Sequence, residues 1–96
     1  MIRATGYARK AMSVEIAPTP NPNAMKLLVG RPVGGPGTVV AGSTTDVTWA
    51  ADLIELEGVS SVFFTADFVT ITKSPSAGWD AILAEAVPIL EREFAG

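Results

Sequence analysis

At 96 residues, with 48% hydrophobic and 18% charged side chains, the chain is the size of one globular domain, whose folding hides roughly two-thirds of the surface of the unfolded chain. The formal net charge is −3, and the sequence holds neither cysteine nor histidine. Those two absences exclude disulfides, thiolate and imidazole metal ligands, Cys and His nucleophiles, and the usual proton shuttle at neutral pH.

Charge is unevenly placed. The head, MIRATGYARKA, holds Arg3, Arg9 and Lys10 and no acid, which leaves four basic against ten acidic residues in the rest of the chain. An acidic body argues against nucleic acid as the main partner. No apolar run approaches the ~20 residues of a membrane span, so the expectation is a soluble, cytoplasmic protein with no membrane partner. The head superficially suits a transit peptide or a surface-binding arm, but has no apolar stretch of the length a secretory signal needs. The simpler expectation is a flexible extension over residues 1–12, followed by one domain over 13–96.

Ser13 to Ala17 alternates, with Val14 and Ile16 on one face, and predicts a first strand. Ala24 to Val29 predicts a second, with Met25, Leu27 and Val29 together. Between them lies PTPNPN. Pro18, Pro20 and Pro22 have no N–H to give a sheet, and each pushes the residue before it toward extended conformations. The segment is therefore expected to be rigid and irregular, an Asx-type turn whose asparagine side chains bond nearby backbone and set the register of the next strand. Four glycines and two prolines from Gly30 to Gly37 mark a loop, and Thr38 to Ala41 a short third strand at an edge.

From Val47 the pattern turns helical: Val47, Ala50 and Ile54, with Trp49, Leu53 and Leu56, recur at spacings of three and four. Thr45 or Asp46 is available as N-cap and Gly58 suits the C′ position. SVFF and DFVTITK then read as a hairpin joined by Thr65-Ala66-Asp67. A final helix follows Ser74-Pro75-Ser76, one serine capping it, with Trp79, Ile82, Leu83, Ala86, Leu90 and Phe94 as its apolar stripe. Pro88 within it removes the bond to the Ala84 carbonyl and should bend or split the helix. The fold class is α+β in two layers: a mostly antiparallel β-sheet with two helices on one face, in the order ββ(β)αββα.

TPNPNAMK, then GVSSVFFTADFVTITK, then the tryptophan-led GWDAILAEAVPIL with its internal proline resemble the N-terminal domain of the Nfu/NifU-like iron–sulfur scaffold proteins. The likeness runs from about Ser13 to Phe94; it departs between Gly30 and Trp49, where glycine is abundant. In that family a separate C-terminal domain with a CxxC pair holds the cluster. The resemblance therefore implies an accessory half standing alone, unable to ligate a cluster through cysteine. It implies iron–sulfur scaffold, carrier or client proteins as partners, and iron itself only by family association.

Thr19, Pro20, Asn21, Pro22 and Asn23 are the candidate docking surface, since a rigid exposed loop loses little entropy on binding. Lys26 is a candidate for a partner carboxylate or an anion, and otherwise a charge that discourages strand addition. Asp67 is expected to close the hairpin and Lys73 to mark its exit; both complete the candidate interaction set. Trp49 and Trp79, at helical spacing among aliphatics, read as core residues. Glu55, Glu57, Glu91 and Glu93 are spaced as solvated helix ends, and no carboxylate pair is set apart for acid–base work. No catalytic residue or cofactor site emerges. The expected function is a non-catalytic interaction module; weak iron-ion binding through carboxylates, or an unrelated small-ligand or anion-binding domain, are the alternatives.

Overall fold

The computed structural model describes residues 14–94. The extension expected over residues 1–12 lies outside them. The elements are β1 (Glu15–Pro18), β2 (Ala24–Leu28), β3 (Gly37–Val40), α1 (Thr48–Ile54), β4 (Val59–Thr65), β5 (Phe68–Lys73) and α2 (Trp79–Phe94). The strands form one sheet in the order β1-β2-β5-β4-β3, and every neighbouring pair is antiparallel. The third strand exists and lies at an edge, as its β-branched residues suggest.

Register decides which side chains share a face, because residues directly opposite one another point the same way. Leu27, Val69 and Phe64 form one such row, and Met25, Ile71, Val62 and Val39 the next. These rows carry buried residues that meet Trp49, Ala50 and Leu53 of α1 and Ile82, Ala86 and Leu90 of α2. The opposite face carries Lys26, Thr70, Phe63 and Thr38 in one row, and neither described helix covers it. Phe64 sits opposite Gly37, where a Cβ would fall 2.4 Å from its ring, so only glycine lets the ring lie over the β3 backbone. Trp49 then meets Phe64 edge-on at 4.9 Å and Phe94 at 5.2 Å, tying α1 to both the sheet and α2.

The first strand includes Pro18, which the sequence reading placed outside regular structure. Register explains the difference. The backbones of Asn23 and Val29 bond toward the β5 side, through Lys73 N–H to the Asn23 carbonyl and Val29 N–H to the Asp67 carbonyl. By alternation Lys26 bonds toward β1 through its partner Ala17, so Pro18 presents its missing N–H to the open edge. The ladder loses nothing there.

Both helix starts differ from expectation. Helix α1 has seven residues and starts from Val47 with no side-chain cap, and Thr45 Oγ1 instead accepts the Val47 N–H at 3.2 Å. It stops before Leu56, whose N–H bonds to the Leu53 carbonyl in a tighter turn. Gly58 is thus not C′ but the hinge into β4, at φ +92°. Ahead of α2, Ser74 to Ala77 form a turn of their own (Ala77 N–H to the Ser74 carbonyl, 3.0 Å), and the helix starts from Gly78, whose carbonyl accepts the Ile82 N–H. Pro88 does not split α2, which is one element from Trp79 to Phe94. Ala84 and Pro88 are both exposed, so water can satisfy the freed carbonyl. The hairpin turn is two residues, Ala66 and Asp67, with Thr65 inside β4 and Ala66 at φ +51°.

Arg92 of α2 reaches Asp52 of α1 at 3.2 Å, with both side chains largely solvated. Solvent screens such a pair, so Asp52→Asn should change the unfolding free energy by less than about 1 kcal/mol in a urea titration.

Candidate docking site at the proline–asparagine turn

The turn between β1 and β2 is built from its own side chains. Thr19 Oγ1 donates toward the Asn21 and Ala24 carbonyls at 2.9 and 3.0 Å, and accepts the Asn21 N–H at 3.1 Å. Asn21 Oδ1 accepts the Asn23 N–H at 2.9 Å, which is the expected Asx turn, and the Ala24 N–H closes on the Asn21 carbonyl at 3.0 Å. With the proline ring fixing φ on alternate residues, few torsions are left free.

Distant parts of the chain then hold the turn from outside. Lys73 gives its backbone N–H to the Asn23 carbonyl at 2.8 Å and its ammonium to Asn23 Oδ1 at 3.2 Å. The ammonium also reaches the Ser74 carbonyl at 3.4 Å and lies 5.8 Å from the centre of the Trp79 ring. Lys73 is the one charged side chain buried among the described residues, at 9% exposure, and these neutral acceptors with the indole face replace its water. Trp79 donates its indole N–H to the Pro22 carbonyl at 3.0 Å. The start of α2, the end of β5 and the turn are thereby locked together, while Pro20, Asn21 and Pro22 stay exposed.

The eight residues proposed from sequence do not form one site. Thr19, Pro20, Asn21, Pro22, Asn23 and Lys73 come together. Lys26 lies at mid-sheet on the uncovered face, opposite Thr70, with its ammonium 4.3 Å from the centre of the Phe68 ring. Asp67 occupies the turn at the other end of β5 from Lys73, about 20 Å along the strand. Its carbonyl receives the Val29 N–H, so it does close the hairpin. The sequence reading missed Trp79 as part of this cluster. Trp79 is partly buried, and an indole carries a polar N–H at one end of an apolar body, which points to a polar partner for it besides its apolar spacing.

No three acidic residues converge as a metal site among the described residues, and the 96-residue sequence has no thiolate. The residues present do not fit an iron–sulfur cluster. No described helix is long and apolar enough to cross a membrane.

Together these features define an open-faced α+β domain whose first hairpin is pinned to its last helix by a cross-bonded turn. The chain belongs to the Nfu/NifU family of iron–sulfur scaffolds: the family model described as "Scaffold protein Nfu/NifU N terminal" matches residues 14–96. It is 38% identical to a relative named "NFU1 iron-sulfur cluster scaffold homolog, mitochondrial" in Drosophila erecta, over 91% of this chain and 32% of the relative. The Drosophila persimilis protein of that name is 35% identical over 95% of this chain and 34% of its own length. The chain thus spans about a third of these relatives. A Staphylococcus aureus protein, SAV1430, solved by X-ray crystallography, superposes with a TM-score of 0.70 at 28% identity, covering 83% of this chain and all of that one. A NifU-like protein from Saccharomyces cerevisiae, 21% identical, shares the fold with a TM-score of 0.68 over 94% of this chain and 89% of its own.

Proposed function

We propose that the domain is a non-catalytic module of iron–sulfur cluster assembly or delivery, and that the exposed side of the proline–asparagine turn docks a scaffold, carrier or client protein. The observation that carries the reading is the cross-bonding of that turn to Lys73 and Trp79, which leaves Pro20, Asn21 and Pro22 exposed on a backbone already ordered. A loop ordered before binding gives up little further entropy, so its contacts count almost fully toward affinity. Family membership supports a place in cluster assembly, and the cluster would be cargo held by thiolates of another domain or protein. Carboxylate binding of iron gains no support, because no three acids converge among the described residues.

The test is an anaerobic pull-down of the tagged protein from its own cells, with mass spectrometry, beside a Pro20→Glu/Pro22→Glu variant. Both prolines are exposed, so the variant should remain folded while charging the proposed surface, at a cost of about 1–2 kcal/mol from the lost restriction of the unfolded chain. Cluster-assembly or cluster-enzyme proteins should be recovered with the wild type and depleted at least about tenfold in the variant, a loss of about 1.4 kcal/mol. Their equal recovery with the variant, or their absence from both eluates, would overturn the proposal.

A further inference from the structure

Asparagine occurs at two positions in the 96-residue sequence, 21 and 23, and glutamine at none. Both carboxamides therefore stand in the proline–asparagine turn, and the bonds there fix the orientation of each. Asn21 Oδ1 accepts the Asn23 N–H at 2.9 Å, and Asn23 Oδ1 accepts the Lys73 ammonium at 3.2 Å. Both of those partners can only donate, so a flipped amide would set donor against donor. The oxygens are committed, and the Nδ2 groups are left over.

The main chain of the turn is engaged as well. The Asn21 carbonyl accepts from Thr19 Oγ1 and the Ala24 N–H, the Pro22 carbonyl from the Trp79 indole, and the Asn23 carbonyl from the Lys73 N–H. The prolines have no N–H, and those of Asn21 and Asn23 go to Thr19 Oγ1 and Asn21 Oδ1. Among the described bonds, residues 20–23 are left with four N–H bonds on two carboxamides against one unengaged oxygen, the Pro20 carbonyl. Asn21 is exposed and Asn23 half-buried, so solvent or a partner can reach this donor surface.

Charge points the same way. Lys73 is 9% exposed, and Arg92 with Asp52 is the single ion pair among the described residues, so no carboxylate answers the buried ammonium. Its bond to Asn23 Oδ1 also polarises that carboxamide and strengthens Nδ2–H as a donor. No acid occurs between Glu15 and Asp46, and Asp80, exposed beside Trp79, forms no hydrogen bond with the turn among the described residues.

We propose that the turn binds a carboxylate, an aspartate or glutamate side chain on an acidic segment of the docked protein, through the Nδ2 groups of Asn21 and Asn23. The inference rests on the docking reading above and gives the partner's chemistry. A neutral carbonyl would take the same donors but leave Lys73 unanswered, and a hydrogen bond to a charged acceptor is roughly twice as strong as a neutral one.

Because these are the only two carboxamides in the chain, an isotope-labelled sample gives two side-chain carboxamide pairs in its NMR spectrum, both from the turn, beside the indole signals of Trp49 and Trp79. Titration of the whole chain with a blocked glycine–glutamate peptide should move both pairs to saturation, with a dissociation constant of about 1 mM or tighter, and the glutamine counterpart should bind at least about tenfold more weakly. Asn21→Asp keeps an oxygen for the Asn23 N–H but removes the donor, and Asn23→Asp pairs Lys73 internally. Each should raise the dissociation constant at least about tenfold, with the Trp79 indole signal unmoved as the sign that the turn is still closed. Lys26→Gln, at mid-sheet on the uncovered face, should change nothing. Unmoved carboxamide pairs in the wild type, equal binding of the two peptides, or undiminished binding by both aspartate variants would overturn the proposal. If any of these results came with loss of pull-down partners in the proline variant, docking itself would stand and only the carboxylate would fall.

Discussion

Trp49→Ala should lower the unfolding free energy by about 3–5 kcal/mol, the largest single loss expected from this core. Trp49 is 6% exposed and contacts Phe64 and Phe94 edge-on, so its removal vacates the point where sheet, α1 and α2 meet. Helix α1 has seven residues, too few for independent stability, and depends on the burial of Trp49, Ala50 and Leu53. For a domain of this size, stable by about 5–15 kcal/mol at most, the variant should melt at least about 12 °C lower. Differential scanning calorimetry reads this directly. A shift of only a few degrees would mean that the surrounding residues collapse into the space and that the aromatic cluster is not where the two layers are joined.

Gly58→Val should cost about 3 kcal/mol or more, from two causes that add. The backbone there sits at φ +92°, which a β-branched residue resists, and a Cβ would lie 2.6 Å from the Cβ of Ala77. Gly42 is the internal control. Its φ is +88° but nothing lies within 4 Å of a Cβ, so Gly42→Ala should cost only the backbone term of about 1–2 kcal/mol. Urea titration of Gly58→Ala, Gly58→Val and Gly42→Ala separates the terms. Equal losses for the two alanine variants would show that Ala77 and the start of α2 move aside freely.

Where local chemistry dominates, the sequence was a good guide. Alternation in Met25-Leu27-Val29 and in the β4–β5 hairpin, and the stripe from Trp79 to Phe94, lead directly to the buried faces seen here. The Asx turn was legible because Asn21 bonds only two residues away. Helix ends were not, because tertiary geometry chose them: Gly58 is spent on the turn into β4, and α2 starts at Gly78 rather than at a serine. The candidate site was half legible. Its loop was plain in PNPN, but the Lys73 and Trp79 bonds that hold it arise from pairings no local pattern encodes, and Lys26 and Asp67 were grouped with it only by their chemistry.

The strand order has a kinetic side. Each hairpin, β1–β2 and β4–β5, closes over a short stretch of chain, but the pairing of β2 with β5 that joins them must close a loop of about 40 residues, an entropy cost of roughly 3 kcal/mol beyond its constant part. The bonds from Lys73 to Asn23 and from Trp79 to Pro22 span 50 and 57 residues and sit at one end of that seam. Non-local contacts of this kind raise the contact order and slow folding relative to a helical domain of equal length. The prolines offset part of that cost beforehand, since they narrow the ensemble of the unfolded chain at the very residues the seam must capture.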